Sequence, residues 1–228
     1  LGYFEVDNEV EQNTLQALEK FKSLGATVTE VKLNWKKEEI ESACYSHYAS
    51  FFAKTVADLL PEHKEKLSSY ALMNAQSAEV HMKALLDNKK IYYPQLGANL
   101  GLSPNECAIV AGEMYSELSP ILDQYDAFIS PTNNLPAVKA DVDLEKDPVI
   151  INGKEQVGRD MCWTMCYPFN MLGRLPVLSV PSGFASNNVP TGIQIVSRSY
   201  ADEVVFQAGF NYEKLDPWLQ NPQNRPKI

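Results

Sequence analysis

From residue 8 to 24 the apolar positions recur with the period of a helix. Val10, Thr14, Ala17, Leu18, Phe21 and Leu24 share one face. Asp7 stands where an N-cap belongs, Glu9 and Glu11 fall in the first turn, and Lys20 and Lys22 fall in the last, so each charge complements the helix dipole. Gly25 ends this helix, and Thr27 to Leu33 alternates apolar with polar positions, as a strand does. A longer helix is predicted from Lys36 to Leu60, with Ile40, Cys44, Tyr48, Phe51, Phe52 and Leu59 as its apolar stripe and Pro61 as its stop. Helical patterns also cover 68–88 and 103–124, the second opening on Ser103 as cap and Pro104 at its first position. Between them, 88–102 is rich in Tyr, Gly and Asn and reads as a loop.

The second half is strand-rich. Tyr125 to Thr132 predicts a strand running into a turn, and 133–157 a long irregular connection with a turn at Asn152-Gly153. The apolar run Val177 to Val180 lies between Pro176 and Pro181 and predicts a buried strand bounded by tight turns. Val189 to Val196 supplies another strand, Ala201 to Glu213 a helix, and 217–228 a surface tail. Helices and strands alternate, which predicts an α/β fold with a mixed β-sheet flanked by helices. Strands at 26–33, 126–130, 176–180 and 192–197 make a small sheet for so much helix. They are expected to complete a larger one, with all of 1–228 forming the C-terminal portion of a single domain.

Composition narrows the function classes. The 228 residues are 45% hydrophobic, enough for a sizeable core. No run approaches the roughly 20 apolar residues of a membrane-spanning helix. A formal charge of −9 argues against a nucleic-acid backbone as direct partner. Cys44, Cys107, Cys162 and Cys166 do not form a disulfide framework, which fits the cytoplasm better than an oxidising compartment. Cys162 and Cys166 lack the spacing and companions of a zinc site, and no cofactor is called for. The chain begins at Leu1 rather than Met, as the interior of a longer polypeptide would.

Candidate nucleophiles are poor. The adjacent serines Ser68-Ser69 are flanked by Leu67 and Tyr70, without the glycines that let backbone N–H groups reach an oxyanion, and they read as a helix start. His47 follows Cys44 by one turn and is expected in the core, while His63 and His81 are expected on the surface. No strand–elbow–helix motif supports a Ser–His–Asp triad.

The segment Pro168-Phe169-Asn170-Met171-Leu172-Gly173-Arg174-Leu175-Pro176-Val177-Leu178-Ser179-Val180-Pro181-Ser182-Gly183, followed by Val189 to Val196 and a helix, resembles the C-terminal part of the amidase signature family. The helix–Gly–strand unit from Glu11 to Leu33 resembles the middle of the same family. That resemblance implies amide hydrolysis by a Ser–Ser–Lys triad without a cofactor. The family's serines come from a Gly-Gly-Ser-Ser-Gly-Gly type segment that this sequence does not contain, so no catalytic residue carries over. The triad would come from an N-terminal half as partner, and the chain alone would be inactive.

What does carry over is a substrate wall. Ser130-Pro131-Thr132 resembles the family's strand-end Thr-Pro-Thr, and Trp163-Thr164 followed by Pro168-Phe169-Asn170 resembles its cleft lining. Here Met165-Cys166-Tyr167 intervene between the two parts, which departs from the family's spacing. The implied pocket residues are Thr132, Trp163, Thr164 and Asn170, expected to converge on one cleft for a small-molecule amide. Two alternatives stand beside this: the amide-donor hydrolysing subunit of a tRNA-dependent amidotransferase, and a noncatalytic interaction domain that keeps the scaffold. A homo-oligomer is left open.

Overall fold

A computed structural model describes residues 1–143, 146–215 and 217–222. Helix α1 (Asn8–Ser23) is capped by Asp7, whose carboxylate accepts from the Glu9 N–H at 2.8 Å. Residues 27–33 then pair with no strand among the described residues. Their alternation nonetheless reports burial: Leu33 and Trp35 enter the core while Lys32 and Asn34 face out, and the Asn34 N–H donates to Glu117. A period of two fits any extended segment lying along a core, paired or not.

The predicted long helix is broken into α2 (Lys37–Tyr48), a π-helical stretch (Ala49–Ala53), α3 (Lys54–Ala57) and α4 (Leu60–His63). The wide π turns rotate the downstream register. Ala49 and Ala53 therefore turn inward, and Phe51 and Phe52, assigned to the apolar stripe by a 3.6 period, are each 60% exposed. Helix α5 (Ser69–Leu86) opens on Ser68, whose hydroxyl accepts from the Ala71 N–H. The predicted loop at 88–102 holds a hairpin instead, β1 (Ile91–Tyr93) with β2 (Ala98–Leu100). Helix α6 (Pro104–Gln124) has the full capping box of Ser103 and Glu106.

Strand β3 (Phe128–Pro131) lies where the sequence placed it. The connection after it contains another hairpin, β4 (Val149–Ile151) and β5 (Lys154–Gln156), around the expected Asn152-Gly153 turn with both residues at positive φ. Pro168-Phe169-Asn170 belongs to the short helix α7 (Tyr167–Met171) with Pro168 in its first turn. Strands β6 (Val177–Phe184) and β7 (Pro190–Val196) and helix α8 (Asp202–Leu215) complete the chain. Of the tail expected at 217–228, residues 223–228 lie outside the described residues. Trp218 stacks on Phe184 with ring centroids 4.6 Å apart.

The α/β class holds, with a three-stranded sheet in the order β3-β7-β6. Every pairing among the described residues is antiparallel, so the mixed order is not met within these strands. Residues 185–189 join β6 to β7 as a hairpin, and so short a link permits only the antiparallel arrangement. Strand β7 is buried on both faces: Ile193 and Ile195 meet Ala17, Phe21, Val205 and Tyr212, while Val196 faces the larger core of Leu33, Ile40, Leu118, Phe128 and Phe169. Strand β6, predicted as a buried strand of a larger sheet, lies at one edge of these three strands with Val177 42% exposed, and Pro181 within it fits that place.

Glu41 on α2 is fully buried in this core. Its Oε1 accepts from the Tyr167 hydroxyl at 3.4 Å, and its Oε2 has no partner. Burial pushes its carboxyl up to about 7, and Lys37, with its Nζ 3.9 Å away, offsets this only in part. A carboxyl raised in the folded state leaves stability intact below its unfolded pKa and removes it as pH rises from there to about 7. The loss amounts to about 3 kcal/mol at most. Glu41→Gln is therefore expected to unfold at higher urea than the parent at pH 8 and at nearly the same urea at pH 4. Equal midpoints at both pH values would show that Glu41 is not held protonated.

Candidate functional site

The end of β3 is where the candidate residues gather. Beyond Pro131, residues 132–134 run antiparallel to 163–165: the Met165 N–H donates to Thr132 O at 2.9 Å, the Asn134 N–H donates to Trp163 O at 3.0 Å, and Asn133 bridges Thr164. Thr132 also donates its N–H to Gly192 O at 2.9 Å, which ties the segment to β7. Three of the four candidates, Thr132, Trp163 and Thr164, thus meet across a stretch of thirty-odd residues (~30) that loop out and return, the kind of closure a stable pairing must hold against chain entropy.

Their side chains differ in availability. The half-buried Thr132 hydroxyl lies 3.1 Å from the hydroxyl of Ser179, which is exposed on β6. The Thr164 hydroxyl donates to Asp160 O at 2.8 Å and is occupied in shaping its own turn. Trp163 is half-buried. Asn170 is exposed on α7, and the contacts joining 132–134 to 163–165 do not include it. It is carried by Phe169, which is buried with its ring centroid 5.7 Å from Trp35 and 5.9 Å from Phe128.

Two residues not singled out from the sequence hold this junction. Gln194 is fully buried, and its Nε2 donates to Pro131 O and Met165 O, each at 2.9 Å, with the Ser130 hydroxyl at 3.1 Å. Alternation along β7 sends Ile193 and Ile195 to one face and Gln194 to the other. A lone amide inside the apolar run Ile193 to Val196 was the available signal. Asn134, also fully buried, donates to Cys162 O and Glu5 O at 2.8 Å each. Oε1 of Gln194 and Oδ1 of Asn134 are buried without a partner.

The remaining sequence expectations fare unevenly. Ser68 serves as a helix cap. His47 is exposed, its ring against Phe51, because it lies on the outer face of α2. His81, expected at the surface, is fully buried: its Nδ1 accepts from the Gly101 N–H at 3.0 Å, so its Nε2 carries the proton toward Ser50 Oγ at 2.8 Å. Burial lowers its pKa, so it serves as a neutral hydrogen-bonding core residue. Among the described residues no cluster of three or more His, Cys, Asp or Glu is arranged to hold a metal, and no helix is long and apolar enough to cross a membrane.

The amidase family model matches residues 1–206, and the chain belongs to that family of hydrolases, the amidase signature enzymes. It is 27% identical to an acylamidase of Rhodococcus erythropolis over 220 residues, which cover 96% of this chain and 41% of the relative. It is 35% identical to a glutamyl-tRNA(Gln) amidotransferase subunit of Thermotoga maritima over 117 residues, 51% of this chain and 22% of that protein. The crystal structure of a bacterial aryl acylamidase of the amidase signature family superposes with a TM-score of 0.74 at 21% identity, covering 100% of this chain and 45% of its own. At that identity the superposition shows the fold. The chain spans somewhat less than half the length of these relatives.

Replacing Gln194 by Leu keeps its bulk but strands the buried Met165 carbonyl and takes a donor from the half-buried Pro131 carbonyl. Each unsatisfied group costs about 1–3 kcal/mol. The expected result is a drop of about 2–4 kcal/mol in unfolding free energy by urea titration. A near-neutral Gln194→Leu would mean that water or backbone shifts replace the amide.

Proposed function

We propose that this chain is the C-terminal part of an amidase that hydrolyses a carboxylic amide C–N bond by Ser–Ser–Lys chemistry, with the triad supplied by an N-terminal segment. The supporting observation is the junction at the end of β3, where the backbone of 132–134 pairs with that of 163–165 on a family scaffold. No Gly-rich serine pair stands in this sequence to act as nucleophile. In this reading Thr132, Trp163, Thr164 and Asn170 line the substrate cleft, with the half-buried Thr132 hydroxyl and the exposed Asn170 amide orienting the amide group. Strand ends and the turns after them are where a rigid sheet can present such polar groups to a ligand. No cofactor takes part, and the partner is the N-terminal half of the same enzyme.

The 117-residue stretch shared with the amidotransferase relative supports a second reading, in which the amide is an ammonia donor used by a multisubunit amidotransferase. The two separate by product. An independent amidase releases amine or ammonia to water, whereas a donor subunit passes ammonia to a tRNA-bound acid only with its companions.

The 228-residue chain alone is expected to leave aryl acylamides intact, and the chain joined to an N-terminal segment bearing the serine pair is expected to cleave them. In the joined enzyme, Thr132→Val and Asn170→Ala should each raise KM by about 3–10-fold, the worth of one neutral hydrogen bond. Turnover by this chain alone, lost on a Ser→Ala change within it, would refute the split of roles. A joined enzyme with no hydrolysis would favour a noncatalytic scaffold.

A further inference from the structure

Between β5 and α7 the backbone makes a turn that the strand-end junction does not require. Gly158 has φ 124 and Arg159 φ 49, so two successive residues occupy the left-handed region, the second with a Cβ. Tyr45 pins this turn by donating its hydroxyl to Gly158 O. The turn drives the Arg159 side chain inward, leaving it 6% exposed. Its Cζ lies 5.6 Å from the centroid of the Tyr93 ring, and its Nε is buried with no acceptor. A buried guanidinium is ordinarily paired with a carboxylate, since taking the charge out of water is costly. Arg159 has no such pair among the described residues. The neighbouring Asp160 accepts instead from the Tyr70 hydroxyl at 3.4 Å.

Arg159 opens onto a small cleft shared with Tyr45, Tyr48, Asn74, Ser77 and Asp160. Asn74 and Ser77 are themselves more than nine-tenths buried, so the floor is polar as well as enclosed. Burial holds the Asp160 carboxyl above its usual value, while Arg159 and the Tyr70 hydroxyl pull it back down. Arg159 thus combines a strained backbone, a buried guanidinium whose Nε has no acceptor, and a place at the wall of a cleft.

We propose that this cleft binds the carboxylate of a small ligand, taken by the Arg159 guanidinium. The planar fork of one arginine matches a carboxylate through paired N–H···O bonds, and a single arginine beside Asp160 suits a monoanion better than a doubly charged phosphate. Resting on the amidase assignment above, this gives the enzyme a substrate class: amides that carry a free acid group. An Asp or Glu side chain from another segment of the enzyme offers the same chemistry, and the experiment separates the two.

The labelled 228-residue chain is titrated with acetate and with its neutral isostere acetamide, following the backbone amide signals of Gly158 and Asp160. Acetate is expected to shift them saturably, with acetamide at least about tenfold weaker, the difference between a charge-assisted pair and a neutral one. Arg159→Gln should abolish the acetate response, and Arg159→Lys should weaken it by removing the fork. No response, equal responses, or a response untouched by Arg159→Gln would overturn the site. Should the variants fail to fold, the acetate–acetamide comparison on the parent chain still decides. Loss of the acetate response once the N-terminal segment is joined would assign Arg159 to a carboxylate of that segment and overturn the ligand site. In the joined enzyme, equal rates on neutral and acid-bearing amides would sink the substrate class and leave the amidase intact. Acetate binding without any hydrolysis would do the reverse.

Discussion

The arrangement at the end of the sheet depends on one buried amide. Gln194 sits in the middle of the most deeply buried strand and spends its N–H bonds on the carbonyls of two other segments, Pro131 at the end of β3 and Met165 before α7. Without it, the buried Met165 carbonyl would lose its donor, and the chain would have to admit water or shift to satisfy it. With it, the returning segment 163–165 is fixed in register on 132–134. The same geometry then determines where Trp163 and Thr164 stand, and Phe169 a few residues on seats α7 against the core. Two faces of β7 thus do different work. Ile193 and Ile195 supply apolar area against α1 and α8, while Gln194 supplies direction.

Direction is what apolar burial cannot provide. The hydrophobic effect scales with area and tolerates rotation of one packed surface on another, whereas a hydrogen bond loses most of its worth within a few tenths of an ångström or a few tens of degrees. The chain places its buried polar groups accordingly. Asn134 ties the N-terminal residue Glu5 to Cys162, and His81 ties Ser50 to Gly101. Asn13 on α1 reaches Phe184 O and the Thr191 hydroxyl where Gly183 brings β6 close. Each joins segments far apart in sequence. Glu41 and Arg159 are different, because each is an ionisable side chain that leaves one of its polar atoms buried without a partner.

The sequence disclosed the elements that local chemistry determines. Asp7, Ser68 and Ser103 announced three helix starts because an N-cap acts on its own next turn, and Asn152-Gly153 announced its turn because both residues tolerate positive φ. Strands β1, β2, β4 and β5 were missed because three residues are too few to show a period. The π-helical stretch left no mark that a 3.6-residue template could register, so Phe51 and Phe52 were assigned inward. His47 and His81 exchanged places because one residue's step around a helix separates core from solvent.

The candidate wall was legible for a different reason. Thr132 and the Trp163-Thr164 pair could be placed by resemblance, but the bonds that bring them together are made mainly by backbone atoms, and any residue but proline can donate at Met165 or Asn134. A backbone-to-backbone junction leaves almost no signature in side-chain chemistry. Its only side-chain trace is the group that locks it from beneath, and that group, Gln194, looks in sequence like an interruption of an apolar strand. A polar residue inside such a run therefore points toward the position where a sheet must hold something in place. In this chain it sits directly under the end of β3, where the candidate amide wall begins.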